Sequence, residues 1–356
     1  MTMVGTRHDT VAARAQLRRP ARRAPRAMPT TLLPLALLTC CGGGPQLDGP
    51  VDGDRAMAHV RHLVETIGPR PFGSDNLAKA ANYITGELTE LGLQPKRHEV
   101  VDAKENKTIR NLYVQIDGKD PANGPILMIG AHYDTKLTDG HDKDSHNFPF
   151  VGAIDGGGAP AVLLELARVL KDRQPRLEPN VWLYWIDAEE SIDFHWNTER
   201  ALLGSKAFCS WLSKEKILSR VKAFVLLDLI GDKDIKIDED GKSNDDLQEI
   251  FRKVAVEKKI TDRVYKFESS ATDDHETFIN YGVPSVLLID FHLRIPEHLI
   301  KETSPNARIP DPQGYQQWWH TPEDTIDKMS PQSLQFAGNL VWHALPGLEA
   351  FVKNRK

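Results

Sequence analysis

Apolar runs recur along the chain at residues 107–117, 125–131, 181–187, 221–228 and 285–290, and the segments between them carry helical spacing or turn residues. Ahead of the first run, Asp54 opens a helical pattern that continues to Ile67. Ser74 caps a second helix from Leu77 to Leu91, which Gly92 ends. A further apolar helix is predicted from Ala161 to Leu170. Strands that alternate with helices need cover on both faces, so the pattern predicts a three-layer α/β/α fold around a central mixed, mostly parallel sheet. Two stretches read as long loops: 133–150, with His141, Asp142, Asp144 and His146, and 291–317. Long loops in compact domains are often functional. The first lacks an ordered cation-ligand spacing and reads as solvated.

Composition changes the picture at the N-terminus. Arg14, Arg18, Arg19, Arg22, Arg23 and Arg26 precede the apolar stretch 32–38, and Cys40-Cys41-Gly42-Gly43-Gly44 follows. A basic segment, a short apolar segment and small residues, in that order, make an export signal too short to span a bilayer. Residues 1–44 are therefore read as an export signal, with Cys40 or Cys41 as a candidate acceptor for a lipid anchor to a membrane. Residues 45–53 read as a linker and 54–356 as a single α/β domain, located outside the cytoplasm, in a periplasm or secreted. Cys209 is the only cysteine after the signal, so no intramolecular disulfide forms there. With 40% hydrophobic and 27% charged residues the composition is that of a globular enzyme-sized domain. A net charge of -5 argues against a nucleic-acid partner.

In an open α/β sheet, ligands bind beyond the carboxyl ends of the strands. A histidine or carboxylate stands at several such places. His132-Tyr133-Asp134 follow Ala131, Asp155 follows the run 150–154, Glu189-Glu190 follow 182–186, Asp228 follows 223–227, and His320 follows Trp318-Trp319. Converging in one fold, they make a metal site or a polar catalytic cleft. Mixed nitrogen and oxygen donors suit Zn²⁺, and three protein ligands leave a position for substrate or water. Neighbouring side chains on extended backbone point in opposite directions, so one of Glu189 and Glu190 can bind metal while the other serves as base. The same period puts His132 and Asp134 on one side, where Asp134 can orient the imidazole. Gly156-Gly157-Gly158 permit a tight turn or a close ligand approach, but the lysine and spacing of a phosphate cradle are missing. The Gly-x-Ser-x-Gly elbow of serine hydrolases is also absent.

Taken in order, GAHYDT, FVGAIDGGGAPAVLLELARVL, WIDAEES, LLGSKAF, LLDLIG, DDHETFINYGVPSVLLI and WWHTPEDT give the chain a family likeness over about residues 51–355. It resembles the zinc-dependent aminopeptidase superfamily, and within it the glutaminyl-peptide cyclotransferase (glutaminyl cyclase) branch. The helix after Asp155, the His195-Trp196 pair and Trp319 before His320 carry the likeness to that branch. The chain departs from animal cyclases in a segment between Glu190 and Trp196 that is one residue longer, in lacking their cysteine pair, and in Ala271-Thr272.

The resemblance implies one zinc per chain, held by Asp155, Glu190 and His320. It also implies a proton-shuttling Glu189, hydrogen-bonded acids at Asp228 and Asp273, and pocket tryptophans Trp196 and Trp319. The implied activity converts an N-terminal Gln of peptides or proteins to pyroglutamate with release of ammonia; separately, the chain is expected to be a monomer. Two-zinc aminopeptidases share the superfamily features, with residues matching His132 and Asp228 completing a second metal site. Hydrolysis of N-terminal residues is thus the alternative. A noncatalytic binding module on the same fold would be expected to lack ligands or base, and this sequence retains them.

Overall fold

A computed structural model describes residues 47–138, 140, 147–291 and 318–355. The expected export signal at 1–44, the polar residues of 141–146 and nearly all of the 291–317 stretch lie outside them.

Helix α1 (Gly53–Arg61) begins where the Asp52 carboxylate accepts the amides of Asp54 and Arg55, and a π-helical turn extends it over His62–Ile67. In α2 (Asp75–Glu90), Ser74 caps the Leu77 amide. The sheet begins with an antiparallel pair, β1 (Lys96–Asp102) and β2 (Lys107–Ile116), and continues with β3 (Ile126–His132), β4 (Asn180–Ile186), β5 (Val221–Asp228) and β8 (Ser285–Ile289). The strand order is β1-β2-β4-β3-β5-β8. β2 meets β4 antiparallel, while β4, β3, β5 and β8 run parallel. Every residue of β3, β4 and β8 is buried, so these strands read as continuous apolar runs.

Three helices, α1, α3 (Ala159–Lys171) and α7 (Pro331–Asn354), pack together on one side of the sheet. α4 (Leu203–Lys214) and α6 (Asp274–Asn280) pack against each other and against β1, β2, β5 and β8, so that β2 and β5 carry helices of both sets. The expected three layers are therefore present. α5 (Asp245–Lys258) packs on α7, beside a second small sheet of β6 (Ile237–Asp240) and β7 (Val264–Ser269). Cys209 is buried in α4, as its surroundings suggested.

The structure departs from the expectations in three places. β1 was not predicted because it lies on the sheet edge, mostly exposed on both faces, and has no apolar period. The run 150–154 is not a strand. Gly152 and Gly156 take left-handed φ of 52° and 83°, which turn the backbone into α3 instead of extending it. The stretch read as a linker is, over residues 47–53, part of the folded unit. Leu47 and Val51 are buried against α7, where Asn339 donates to the Leu47 carbonyl and accepts the Val51 amide.

Candidate active site

The parallel strands bring their carboxyl ends to one edge of the sheet. His132 is the last residue of β3 and Asp228 the last of β5. Glu189 and Glu190 lie just beyond β4, Asp155 in the turn before α3, and His320 in the segment before α7. The two glutamates leave the strand through a bend rather than on extended backbone, since Ala188 takes a φ of 54°. Asp134 fixes that bend: its two carboxylate oxygens accept the amides of Glu189 and Glu190, each at 3.2 Å. Asp134 Oδ1 also stands 3.5 Å from His132 Nδ1, within reach to orient the ring.

Among the described residues, two groups of donors converge, and Asp155 belongs to both. In the first, His320 Nε2 is 3.2 Å from Glu190 Oε1 and 3.4 Å from Asp155 Oδ2. In the second, His132 Nε2 is 2.9 Å from Asp228 Oδ1 and 3.3 Å from Asp155 Oδ1. Tetrahedral ligands bonded at about 2.0–2.1 Å stand roughly 3.3 Å apart, so the first group has the spacing of a zinc site. Asp155 Oδ2, one of these donors, is buried with no hydrogen-bond partner. Such an oxygen is costly to bury unless a cation meets it. The residues present therefore fit zinc.

Beside the first group lies a cavity of about 230 Å³, lined by Asp155, Glu189, Glu190, Asp228, Asp273 and His320, with Trp196, Trp319, Leu229, Ile289 and Phe291 as apolar walls. Trp319 stacks on His320 at 4.0 Å between ring centres, and Phe291 meets Trp319 edge-on at 5.1 Å. Trp196, 38% exposed, stands at the rim. His132 is buried and does not line the cavity. Clefts of about 160 and 510 Å³ open by the amino ends of β4 and β5 but contain no comparable cluster.

The site polarises its acids in opposite directions. Burial pushes Glu189 well above the usual carboxylate range; His132 opposes this, while Asp273 and Glu190 add to it. Burial, with the charges of Asp228 and Asp274, likewise raises Asp273. Burial would also raise Glu190, but His320 and Lys136 outweigh it and hold that carboxyl low. The Lys136 ammonium is buried, donates to the carbonyls of Ser191 at 2.6 Å and Asp193 at 2.8 Å, and lies 3.7 Å from Glu190 Oε2.

All eight residues expected to form the catalytic, metal-binding and substrate-binding set line this one cavity. Sequence reasoning missed Lys136, Arg70 and Asp324, all buried around it. The only sequence signal was position: Lys136 follows GAHYDT directly, and Asp324 lies inside WWHTPEDT.

A model of Peptidase family M28 matches residues 111–345, a span that includes every lining residue of the site, and the chain belongs to that family. Glutaminyl-peptide cyclotransferase of Drosophila melanogaster is 24% identical over 290 residues, covering 75% of this chain and 73% of that protein. Aminopeptidase YwaD of Bacillus subtilis is 30% identical over 260 residues, covering 70% of this chain but 47% of its own, so this chain spans about half its length. Among solved structures, the glutaminyl cyclase of an Acidobacteriales bacterium superposes with a TM-score of 0.70 at 28% identity, covering 86% of this chain and 99% of that one.

Proposed function

We propose that this protein is a glutaminyl-peptide cyclotransferase that converts the N-terminal Gln of a peptide or protein to pyroglutamate and releases ammonia. The observation that carries the reading is the small cavity, whose lining combines the proton-seeking Glu189 with a zinc-type ligand group and two further acids, Asp228 and Asp273. The named cyclotransferase and cyclase relatives, similar over most of both chains, support it.

Asp155, Glu190 and His320 would hold one zinc, which when bound supplies a Lewis acid for the γ-amide oxygen of the substrate. Glu189 takes a proton from the attacking α-amine as the new N–C bond forms, then gives it to the departing amide nitrogen, which leaves as ammonia. Its raised proton affinity suits a group that must both accept and return the proton. Asp228 and Asp273 line the same cavity, where they would take up hydrogen bonds with Glu189 and the substrate as the proton moves. Nucleophile and electrophile belong to one residue, so orientation is the main requirement. Trp319, Trp196 and Phe291 supply it by closing around one side chain and excluding competing water. An N-terminal export signal would deliver the enzyme outside the cytoplasm, where Cys40 or Cys41 could carry a lipid.

The second donor group, His132, Asp155 and Asp228, favours an alternative: a two-zinc aminopeptidase in which Glu189 activates water. Mass spectrometry of a Gln-initiated peptide beside an Ala- or Leu-initiated control separates the two. Loss of ammonia from the Gln peptide, above the spontaneous rate and with the control intact, is the result expected. Release of the first residue from either peptide overturns the cyclotransferase in favour of the peptidase.

A further inference from the structure

Two buried aspartates grip the backbone of the site in the same way. Asp134 takes the amides of Glu189 and Glu190, one on each carboxylate oxygen. Asp324 takes the amides of Ile154 and Asp155, again one on each oxygen, at 2.8 and 3.0 Å. In both pairs the second amide belongs to a residue of the zinc-type group. The Asp324 carbonyl also accepts the Ala153 amide at 3.3 Å. Because Asp324 stands in the same short segment as His320, it ties the loop bearing one ligand to the turn bearing another. His320 has a left-handed φ of 52°, a conformation that a residue other than glycine keeps only where its surroundings enforce it.

Arg70 joins these two grips. Its guanidinium is fully buried and donates only to backbone carbonyls: Nε to Tyr133, Nη1 to Leu63, Gly68 and Val151, and Nη2 to Gly152 and Gly156, at 2.9–3.2 Å. Its own amide donates to Thr135 Oγ1, and its carbonyl accepts the Thr135 amide. The segment carrying Asp134 and the turn carrying Asp155 are thus held by one side chain. The fit leaves no slack: a Cβ on Gly156 would meet the Asp134 carbonyl at 2.0 Å, and one on Gly152 the Asp155 carbonyl at 2.1 Å.

We propose that Asp324 and Arg70 are positioning residues, which set the separation of Asp155 from Glu190 and His320 and so preform the zinc-binding geometry. The inference rests on the zinc-dependent reading above. Neither residue faces the cavity. Asp324 holds the Asp155 amide itself and Arg70 the carbonyls of Gly152 and Gly156 to either side of it, and a ligand held within a fraction of an ångström loses little freedom when the ion binds.

The test uses the full chain and the variant Asp324→Asn, which has the same shape but presents an N–H donor to one of the two amides. Zinc affinity is measured by competition with a chromophoric chelator, and ligand geometry by the visible spectrum of the cobalt-substituted protein. The melting temperature of the metal-free protein reports any general effect on the fold. The expected result is zinc affinity weakened by about 10- to 100-fold and an altered cobalt spectrum, with metal-free melting little changed. Arg70→Lys keeps the buried charge but reaches fewer carbonyls, and it should move the same two readouts in the same direction. Affinities within about threefold of the parent and an unchanged cobalt spectrum in either variant overturn the proposal. So does a metal-free Asp324→Asn protein that no longer folds, which would make the residue part of the general framework. A parent protein that binds zinc tightly yet does not cyclise Gln peptides overturns the cyclotransferase reading and leaves this inference standing.

Discussion

His132 Nε2 lies 2.9 Å from Asp228 Oδ1, a hydrogen bond between the ends of the neighbouring parallel strands β3 and β5. The bond gives His132 Nε2 and Asp228 Oδ1 partners without an ion, whereas Asp155 Oδ2, the oxygen turned to His320, has no hydrogen-bond partner. The first group should therefore fill with metal and the second should not. Elemental analysis after dialysis is expected to find one zinc per chain in the parent and in His132→Ala, and none in His320→Ala. Two zincs in the parent, with one lost in His132→Ala, would favour the peptidase.

Glu189→Gln keeps the shape of the side chain and removes its capacity to take a proton. Proton transfer by a positioned side chain contributes about 10²- to 10⁴-fold, so turnover should fall by that order while bound zinc and melting temperature stay at parent values. An unchanged rate would move the base to another residue.

His59, on α1 away from the cavity, offers a pH dependence free of the metal. Burial lowers its pKa from the ordinary 6.5 to about 4, Glu165 opposes the shift, and Arg55 and His62 reinforce it. Its Nδ1 stands 2.7 Å from the Tyr83 hydroxyl. The unfolded chain binds the proton more readily, so the stability that neutral His59 contributes is intact above pH 6.5 and is lost as pH falls towards about 4. His59→Gln should flatten that part of the profile. Urea unfolding of parent and variant at about pH 7 and about pH 5 measures it, and equal losses in the two proteins would contradict it.

Two glycines should respond to alanine with opposite sign. A Cβ on Gly158 would sit 1.7 Å from the buried Ile230 carbonyl, so Gly158→Ala should cost about 1–3 kcal/mol or more as the backbone gives way. Gly86, exposed in α2 with nothing within 4 Å of an added Cβ, should gain about 0.5–1 kcal/mol in Gly86→Ala from the restricted unfolded chain. Chemical denaturation of both variants checks the pair.

The sequence by itself determined the parallel strands, because a strand buried on both faces must be apolar throughout and β3, β4 and β5 are legible for that reason. It also marked Asp155, Glu190 and His320, since a polar residue placed directly after such a run, or between aromatic and turn residues, stands out against its surroundings. β1 was not legible, because an exposed edge strand carries no burial pattern to read. Only the tertiary structure decided the supports of the site. Arg70, Lys136 and Asp324 look in sequence like solvated charges, and Asp324 meets the Asp155 amide across 169 residues. A charged side chain can be buried where distant backbone groups converge to satisfy it, and that convergence arises from the packing of the whole fold rather than from any local pattern.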